Sequence, residues 1–156
     1  MIISANMGRT LAVVEDADRD RELLERARSF AAGEGSSVVV LALATPEAYR
    51  EVSETLDAIG EVEGTTYHNQ SVLKGISGDI DDAAAEVLGD VGYRLRTEIA
   101  ESGDQAAAII DAADDADCDH VFLPGQRRSP TGKAVFGDRT QRVLLNFHGF
   151  VTVEMN

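Results

Sequence analysis

The stretch TLAVVEDAD, residues 10–18, decides how this chain folds. Its first five residues form a short and mostly apolar run, which is typical of a β-strand covered on both faces. The acidic residues that follow indicate a turn, and Asp16 and Asp18 are predicted to cap the next helix. In that helix, apolar residues recur at helical spacing until Gly33 and Gly35 end it. The pattern therefore predicts a strand, an acidic turn and a helix.

The alternation of strand and helix continues to the end of the chain. Residues 38–43 (VVVLAL) and 121–123 (VFL) predict two more buried strands, and residues 150–154 predict a last one. Residues 91–99 alternate apolar and polar side chains, as a strand at or near a sheet edge does. Ser102 is predicted to cap one helix. A further helix is predicted over residues 139–147, ending at Gly149.

The connection between the second and third strands is the least regular part of the sequence. Residues 46–89 have helical character, but four glycines are expected to interrupt it. We expect the last firm helical segment over residues 80–88 and a mobile loop over residues 61–78. The glycines are Gly60, Gly64, Gly75 and Gly78.

This order of elements predicts an α/β fold: a single doubly wound domain spanning residues 1–156. Strands that alternate with helices form a five-stranded parallel sheet with helices on both faces. The most apolar strands belong at its centre, which places the first strand beside the fourth, where the chain reverses direction. Ligands of such sheets bind at the carboxyl ends of the strands at that point. We therefore expect a crevice lined by Glu15, Asp16 and the residues after Leu123.

The composition indicates a globular protein, with 44% hydrophobic and 27% charged residues among 156. No apolar run approaches the ~18–20 residues of a membrane span, and the first residues do not resemble a secretory signal. The single cysteine, Cys118, excludes disulfide scaffolds and cysteine-rich metal sites. We expect a cytoplasmic protein.

The charge is strongly negative, with a net charge of −14 and a pI near 4.4. Such a chain is repelled by nucleic acid and by anionic membranes, so neither is an expected partner. Lys74 and Lys133 are the only lysines. An acidic surface that avoids lysine suits concentrated salt, which screens self-repulsion. The hypothesis is a halophilic source, and the alternative is an ordinary acidic protein.

Residues 124–140, PGQRRSPTGKAVFGDRT, carry most of the functional information. They combine three glycines with Arg127, Arg128 and Lys133, ahead of a helix. Backbone amides near a helix N-terminus favour anions, so an anion site is one interpretation and a solvated loop is the other. The P-loop of nucleoside triphosphatases is excluded for two reasons. The glycines are too far apart, and Ala134 stands where the P-loop has a serine or threonine whose hydroxyl holds the metal.

Other catalytic or metal sites find little support in the sequence. His68, His120 and His148 lie far apart, without metal-ligand spacing, and His120 is expected to pack or lie on the surface. Carboxylates around Cys118 are expected to raise its pKa, so it is interpreted as structural. The aspartates over residues 111–119 do not match a calcium loop and indicate a solvated helix end.

The whole chain resembles the universal stress protein family. The resemblance rests on the five-stranded alternation, on the turn VVEDAD and on the glycine segment VFLPGQRRSPTGKAVFGDRTQRVLLNFHGFVTVE. That last segment is most similar to haloarchaeal members, which carry a like RSPxGKAxFG loop. The resemblance implies the strand order 3-2-1-4-5 and a homodimer joined through the C-terminal strand. Members of the family fall into two groups, one that binds ATP and one that does not, and the resemblance implies that this chain belongs to one of them.

The ATP-binding pattern of the family is matched only in part. It reads G-x-x-G, nine residues, then G-[ST]; Gly125 and Gly137 match its first and last glycines. Arg128 replaces the second glycine, the loop is one residue short, and Asp138 replaces the phosphate-binding hydroxyl. A carboxylate facing a triphosphate is repelled by ~1–4 kcal/mol at 4 Å. Against this, arginine and lysine side chains hold phosphates directly.

Three functions are consistent with these observations. The first is a stress-response module that weakly binds a nucleotide of the ATP or AMP type, without a metal and without catalysis. The second is a homodimeric interaction protein without a nucleotide. The third is an enzyme acting on a small phosphorylated substrate, for which no nucleophile–base pair is found. The candidate nucleotide-binding residues are Glu15, Asp16, Leu43, Gly125, Arg127, Arg128, Gly132, Lys133, Gly137 and Asp138.

Overall fold

A computed structural model describes residues 8–63, 69–125 and 137–155 of the chain. These residues form one five-stranded parallel sheet in the order β3-β2-β1-β4-β5. The strands are β1 Arg9–Val14, β2 Val38–Ala44, β3 Tyr93–Ile99, β4 Cys118–Pro124 and β5 Phe150–Glu154. The helices are α1 Arg21–Glu34, α2 Pro46–Glu63, α3 Asn69–Leu88, α4 Gln105–Asp115 and α5 Asp138–Asn146. The predicted fold class and strand order are confirmed.

The sheet separates two layers of apolar side chains. Leu11 and Val13 of β1 face α4 and α5, whereas Ala12 and Val14 face α1 and α3. All four are fully buried. This two-sided burial explains why β1 and β2 appear in the sequence as continuous apolar runs. The partly exposed strands β3 and β5 lie at the two edges of the sheet. An edge position was predicted for β3, in which apolar and polar side chains alternate.

The predicted interruption of the second crossover is wrong at three of the four glycines. Helix α2 runs through Gly60, and α3 runs through Gly75 and Gly78, so residues 69–78 of the expected loop are helical. Gly64 lies outside the described residues. A Cβ atom on Gly75 would lie 2.7 Å from Val52 Cγ1, so this glycine lets α2 approach α3 closely. Helix packing therefore outweighs the low helix propensity of glycine.

The predicted capping residues also differ from those in the structure. Helix α1 begins only at Arg21, and the Asp16 carboxylate accepts the N–H groups of Asp18 and Arg19 in the turn before it. Ser102 opens a short 3₁₀ turn, Ser102–Asp104, that precedes α4. Asp16 thus stabilises a turn instead of the helix end, and Ser102 lies before the N-cap of α4, which is Asp104. Among the described residues, no helix is long and apolar enough to cross a membrane.

The two α3 glycines make a matched test of this packing. We expect Gly78→Ala to raise the free energy of unfolding by about 0.5–1 kcal/mol, because its Cβ would meet nothing within 4 Å and alanine favours the helix. Gly75→Ala should lower it, because its Cβ would overlap Val52. Urea denaturation of both variants measures the difference. Equal stabilisation by both would contradict the close contact between α2 and α3.

Candidate functional site

The candidate site lies where the strand order reverses, between the carboxyl ends of β1 and β4. Glu15 directly follows β1, and Gly125 directly follows β4. The first turn of α5 comes to the same place, since Arg139 contacts both Glu15 and the Pro124 carbonyl. This is the point at which parallel α/β sheets bind their ligands.

Glu15 and Arg139 form a two-pronged ion pair across this crevice. Arg139 Nη1 lies 2.9 Å from Glu15 Oε2, and Nη2 lies 3.0 Å from Oε1. The Arg139 side chain is 16% exposed and the Glu15 side chain is 28% exposed. Arginine and carboxylate match in this geometry, so the pair is stronger and more directional than an ordinary surface ion pair.

The guanidinium of Arg139 also binds two other elements. Nη1 donates to Gln105 Oε1 at 2.9 Å, and Nη2 donates to the Pro124 carbonyl at 3.3 Å. Gln105 is itself buried and donates to the Ala100 carbonyl at 3.2 Å. We call Arg139 with its acceptors Glu15, Gln105 and Pro124 the Arg139 clamp. It joins α5 to the β1 end, to α4 and to the β4 end.

A buried carboxylate shapes the turn after β1. Asp20 is fully buried and accepts the N–H groups of Glu15 and Asp16 at 2.8 and 3.1 Å. Arg19 Nε donates to Asp20 at 3.0 Å, and this hydrogen bond raises the pKa of the Arg19 guanidinium. Arg19 also reaches Glu15 at 3.4 Å. The turn is therefore held from inside, and Asp16 serves it as a turn residue.

The end of β5 adds another carboxylate to this side of the sheet. Burial raises the pKa of Glu154, and the nearby Asp20 and Glu22 raise it further, whereas Arg19 lowers it. Glu154 Oε1 is buried without a hydrogen-bond partner among the described residues. The α1 side of the crevice thus disfavours additional negative charge.

A groove of about 560 Å³ opens from Glu15 along α1 and α3. Its volume suits a nucleotide, but the described residues of its walls carry one cationic side chain and six acidic ones, which repel phosphate. Its charged lining residues are Glu15, Asp16, Asp18, Arg21, Asp79, Asp82 and Glu86. Phosphates are therefore better placed on the α5 side of Glu15.

Gly125 has a structural role at the β4 end. Its N–H group donates to the Glu154 carbonyl at 2.9 Å, so this amide is already used. A Cβ atom there would overlap that carbonyl oxygen and would lie 2.9 Å from Val153 Cγ1. The glycine that matches the start of the nucleotide pattern thus lets β4 and β5 approach each other.

The start of α5 presents its first turn to the crevice. Gly137 occupies the N-cap position in an extended conformation, and its carbonyl accepts the Gln141 N–H at 3.0 Å. Asp138 is exposed in the first turn. A carboxylate there interacts favourably with the positive end of the helix dipole.

Of the remaining predicted site residues, the structure describes only Leu43, and Leu43 does not lie at the crevice. Leu43 is only 2% exposed and packs in the core with residues of α4, so its side chain belongs to the hydrophobic core. Arg127, Arg128, Gly132 and Lys133 lie outside the described residues.

The other reactive side chains lie at the amino end of the sheet. Burial, with smaller contributions from Asp117 and Asp119, raises the pKa of Cys118 to about 11 against the lowering effect of Arg9. The thiol is therefore protonated at neutral pH, as predicted, although burial is the main cause. His120 packs among aromatic rings, and burial lowers its pKa. Within the described ranges, no three His, Cys, Asp or Glu side chains are grouped to hold a metal.

Two features of the site were not predicted from the sequence: the Arg139 clamp and the buried carboxylate of Asp20. Arg139 and Glu15 are 124 positions apart, so no local spacing could pair them. Two signals were available for Arg139: it directly follows Asp138 in the glycine segment, and it is a cation in a very acidic chain. Asp20 is one of four acidic residues within residues 15–20, so the sequence did not distinguish it from its neighbours.

Comparison with known proteins identifies the family. A model of the universal stress protein family matches residues 7–153, so the chain belongs to that family. No curated protein was found to match the chain in sequence.

Solved structures share the fold. A universal stress protein from Archaeoglobus fulgidus is 20% identical over 94% of this chain and 98% of that one, with a TM-score of 0.56. A universal stress protein in complex with cAMP is 14% identical over 95% and 97%, with a TM-score of 0.57. A universal stress protein from Archaeoglobus fulgidus in complex with dAMP is 16% identical over 94% and 97%, with a TM-score of 0.50.

A substitution at Gly125 tests its structural role without any ligand. We expect Gly125→Ala to lower the free energy of unfolding by about 1–3 kcal/mol, because the added methyl group overlaps the Glu154 carbonyl. Gly92→Ala is the control, since a Cβ there meets nothing within 4 Å. Urea denaturation measures both. A Gly125→Ala variant as stable as its control would show that β4 and β5 do not need this glycine.

Proposed function

We propose that this chain is a cytoplasmic, non-catalytic module that weakly binds an adenine nucleotide at the crevice between β1 and β4. The observation that carries the proposal is the convergence of Glu15, which follows β1, with the first turn of α5 at the point of strand reversal. Two proteins of the same family and fold are described in complex with cAMP and dAMP. A nucleotide is therefore the ligand best supported for this crevice.

The phosphates are assigned to the α5 side of the crevice. The first N–H groups of a helix have no partner within the helix, and the helix dipole favours negative charge there. The preceding segment contributes Arg127, Arg128 and Lys133 in sequence, which are suited to gripping phosphate oxygens. Glu15 is the acceptor available to a nucleoside hydroxyl.

Three features of the chain argue for weak binding. The Gly125 amide is already bonded to Glu154, so it is withdrawn from any phosphate. Asp138 adds a negative charge to the first turn of α5, where a phosphate would lie. The Glu15 carboxylate is engaged by Arg139, so a nucleoside hydroxyl must compete for it.

A non-catalytic role follows from the same groups. Asp20 is fully buried and accepts the N–H groups of Glu15 and Asp16, so this carboxylate is not free to act as a base on a bound ligand. Hydrolysis of a bound triphosphate would be slow and incidental.

The second candidate function is a homodimeric interaction protein joined through β5, and it is compatible with the first. β5 is an edge strand, so one side of its backbone is unpaired within the described sheet. Phe150 at its start is 71% exposed, and Leu145 on the preceding helix is 82% exposed. Apolar side chains beside an open strand edge favour pairing with a second copy.

Asp138 gives the sharpest test of nucleotide binding. We expect Asp138→Ser to strengthen ATP binding by about fivefold, because it removes ~1 kcal/mol of charge repulsion and restores a hydroxyl. AMP, with fewer phosphate charges, should gain less. Calorimetric titration of both nucleotides in high-salt buffer measures this, with Arg128→Gly/Asp138→Ser as the variant that restores the family pattern.

The control is Asp114→Ser, which changes the charge equally at an exposed position near the end of α4, where the chain leads to the amino end of β4. It should leave the ATP affinity unchanged. If neither the unmodified chain nor the restored variants bind ATP or AMP, the nucleotide proposal fails and the interaction protein becomes the better description.

The dimer has its own test. We expect the unmodified chain to sediment as a dimer in concentrated salt, and Leu145→Ser/Phe150→Ser to shift it toward the monomer, because apolar contact area is lost. Ile59→Ser on α2 is the control, since Ile59 is an apolar residue exposed elsewhere. Sedimentation velocity distinguishes the species. A chain that is monomeric without any substitution would refute the proposal.

A further inference from the structure

The Arg139 clamp lies across the position where a ligand of this fold enters. Its guanidinium contacts elements from both sides of the crevice, Glu15 after β1 and Pro124 at the end of β4. It also contacts Gln105, which is buried and anchored to the Ala100 carbonyl. The side chain is mostly buried, so it fills the space between these groups.

The clamp uses the atoms that a nucleotide needs. Each Glu15 oxygen accepts one N–H from Arg139, and Arg19 approaches Oε1 from the other side at 3.4 Å. Each oxygen keeps further acceptor capacity, but the Arg139 guanidinium spans the gap between Glu15 and the Pro124 carbonyl, so a nucleoside that enters this gap must displace it. The guanidinium, in turn, fits a phosphate as well as it fits a carboxylate.

We propose that the Arg139 clamp holds the crevice closed in the free protein, and that a nucleotide opens it by separating Arg139 from Glu15. The inference rests on the proposed nucleotide function. Because only the open form accepts the ligand, the apparent dissociation constant exceeds the intrinsic one by the inverse of the open fraction. Weakening the clamp therefore strengthens binding.

The Arg139→Lys variant distinguishes two roles of Arg139: holding the crevice closed and attracting phosphate by its charge. Lysine keeps the positive charge near the phosphates but loses the planar fork that holds Glu15, Gln105 and Pro124 together. We expect the variant to bind ATP and AMP about tenfold more tightly than the unmodified chain. If Arg139 instead served to attract or grip phosphate, the affinity would stay the same or fall.

Arg142→Lys is the matched control. Arg142 lies one turn further along α5, is exposed, and donates at 2.9 Å to the Gly103 carbonyl, which is not one of the clamp acceptors. The same substitution there keeps the charge and should leave nucleotide affinity unchanged. Equal gains in both variants would assign the effect to α5 in general and overturn the proposal.

A second measurement needs no nucleotide. Amide hydrogen exchange in the first turn of α5, for example at Gln141, which donates to the Gly137 carbonyl, reports whether the clamp holds this turn. We expect exchange to be faster in Arg139→Lys than in Arg142→Lys. Equal exchange in the two variants would overturn the clamp regardless of any binding result.

The two measurements keep the two proposals distinct. Faster exchange with tighter nucleotide binding in Arg139→Lys supports both the clamp and the nucleotide site. Faster exchange without nucleotide binding by any variant would refute the nucleotide function and, with it, opening by a nucleotide. Faster exchange with unchanged or weaker nucleotide binding would refute the clamp as a barrier while keeping the site.

Discussion

Burial of the central strand on both faces is the constraint on which this structure depends. Leu11 to Val14 are all fully buried, with alternate side chains directed into two separate cores. A strand of this kind requires helices above and below, and parallel neighbours reached by crossovers. The chain leaves β1 toward one edge of the sheet and later returns to the other, so the crevice beside Glu15 is a consequence of the burial itself.

The negative charge of the protein bears directly on ligand binding at that crevice. With a net charge of −14, the chain would repel a phosphate ligand unless cations were placed close by. Arg19 and Arg139 lie there, but both engage Glu15. The contacts that stabilise the fold at this point therefore compete with the contacts that a ligand would make, which is why the proposed nucleotide binding is expected to be weak.

The fold could be predicted from the sequence because two-sided and one-sided burial leave different apolar patterns. The strand order, with β1 beside β4, followed from the same patterns together with the family resemblance. The course of α3 through Gly75 could not be predicted, since packing against Val52 lies outside the local sequence. The Glu15 and Asp16 turn was placed correctly, yet its partners Arg139 and Asp20 emerged only when the chain was folded.

Asp20 has a consequence for how fast and how selectively this protein could respond to a ligand. Its buried carboxylate fixes the backbone of Glu15 and Asp16 before any ligand arrives. The conformational entropy of ordering that turn is lost during folding and not again on association. Recognition on this side of the crevice is thus preorganised, and a ligand must fit a turn that is already shaped.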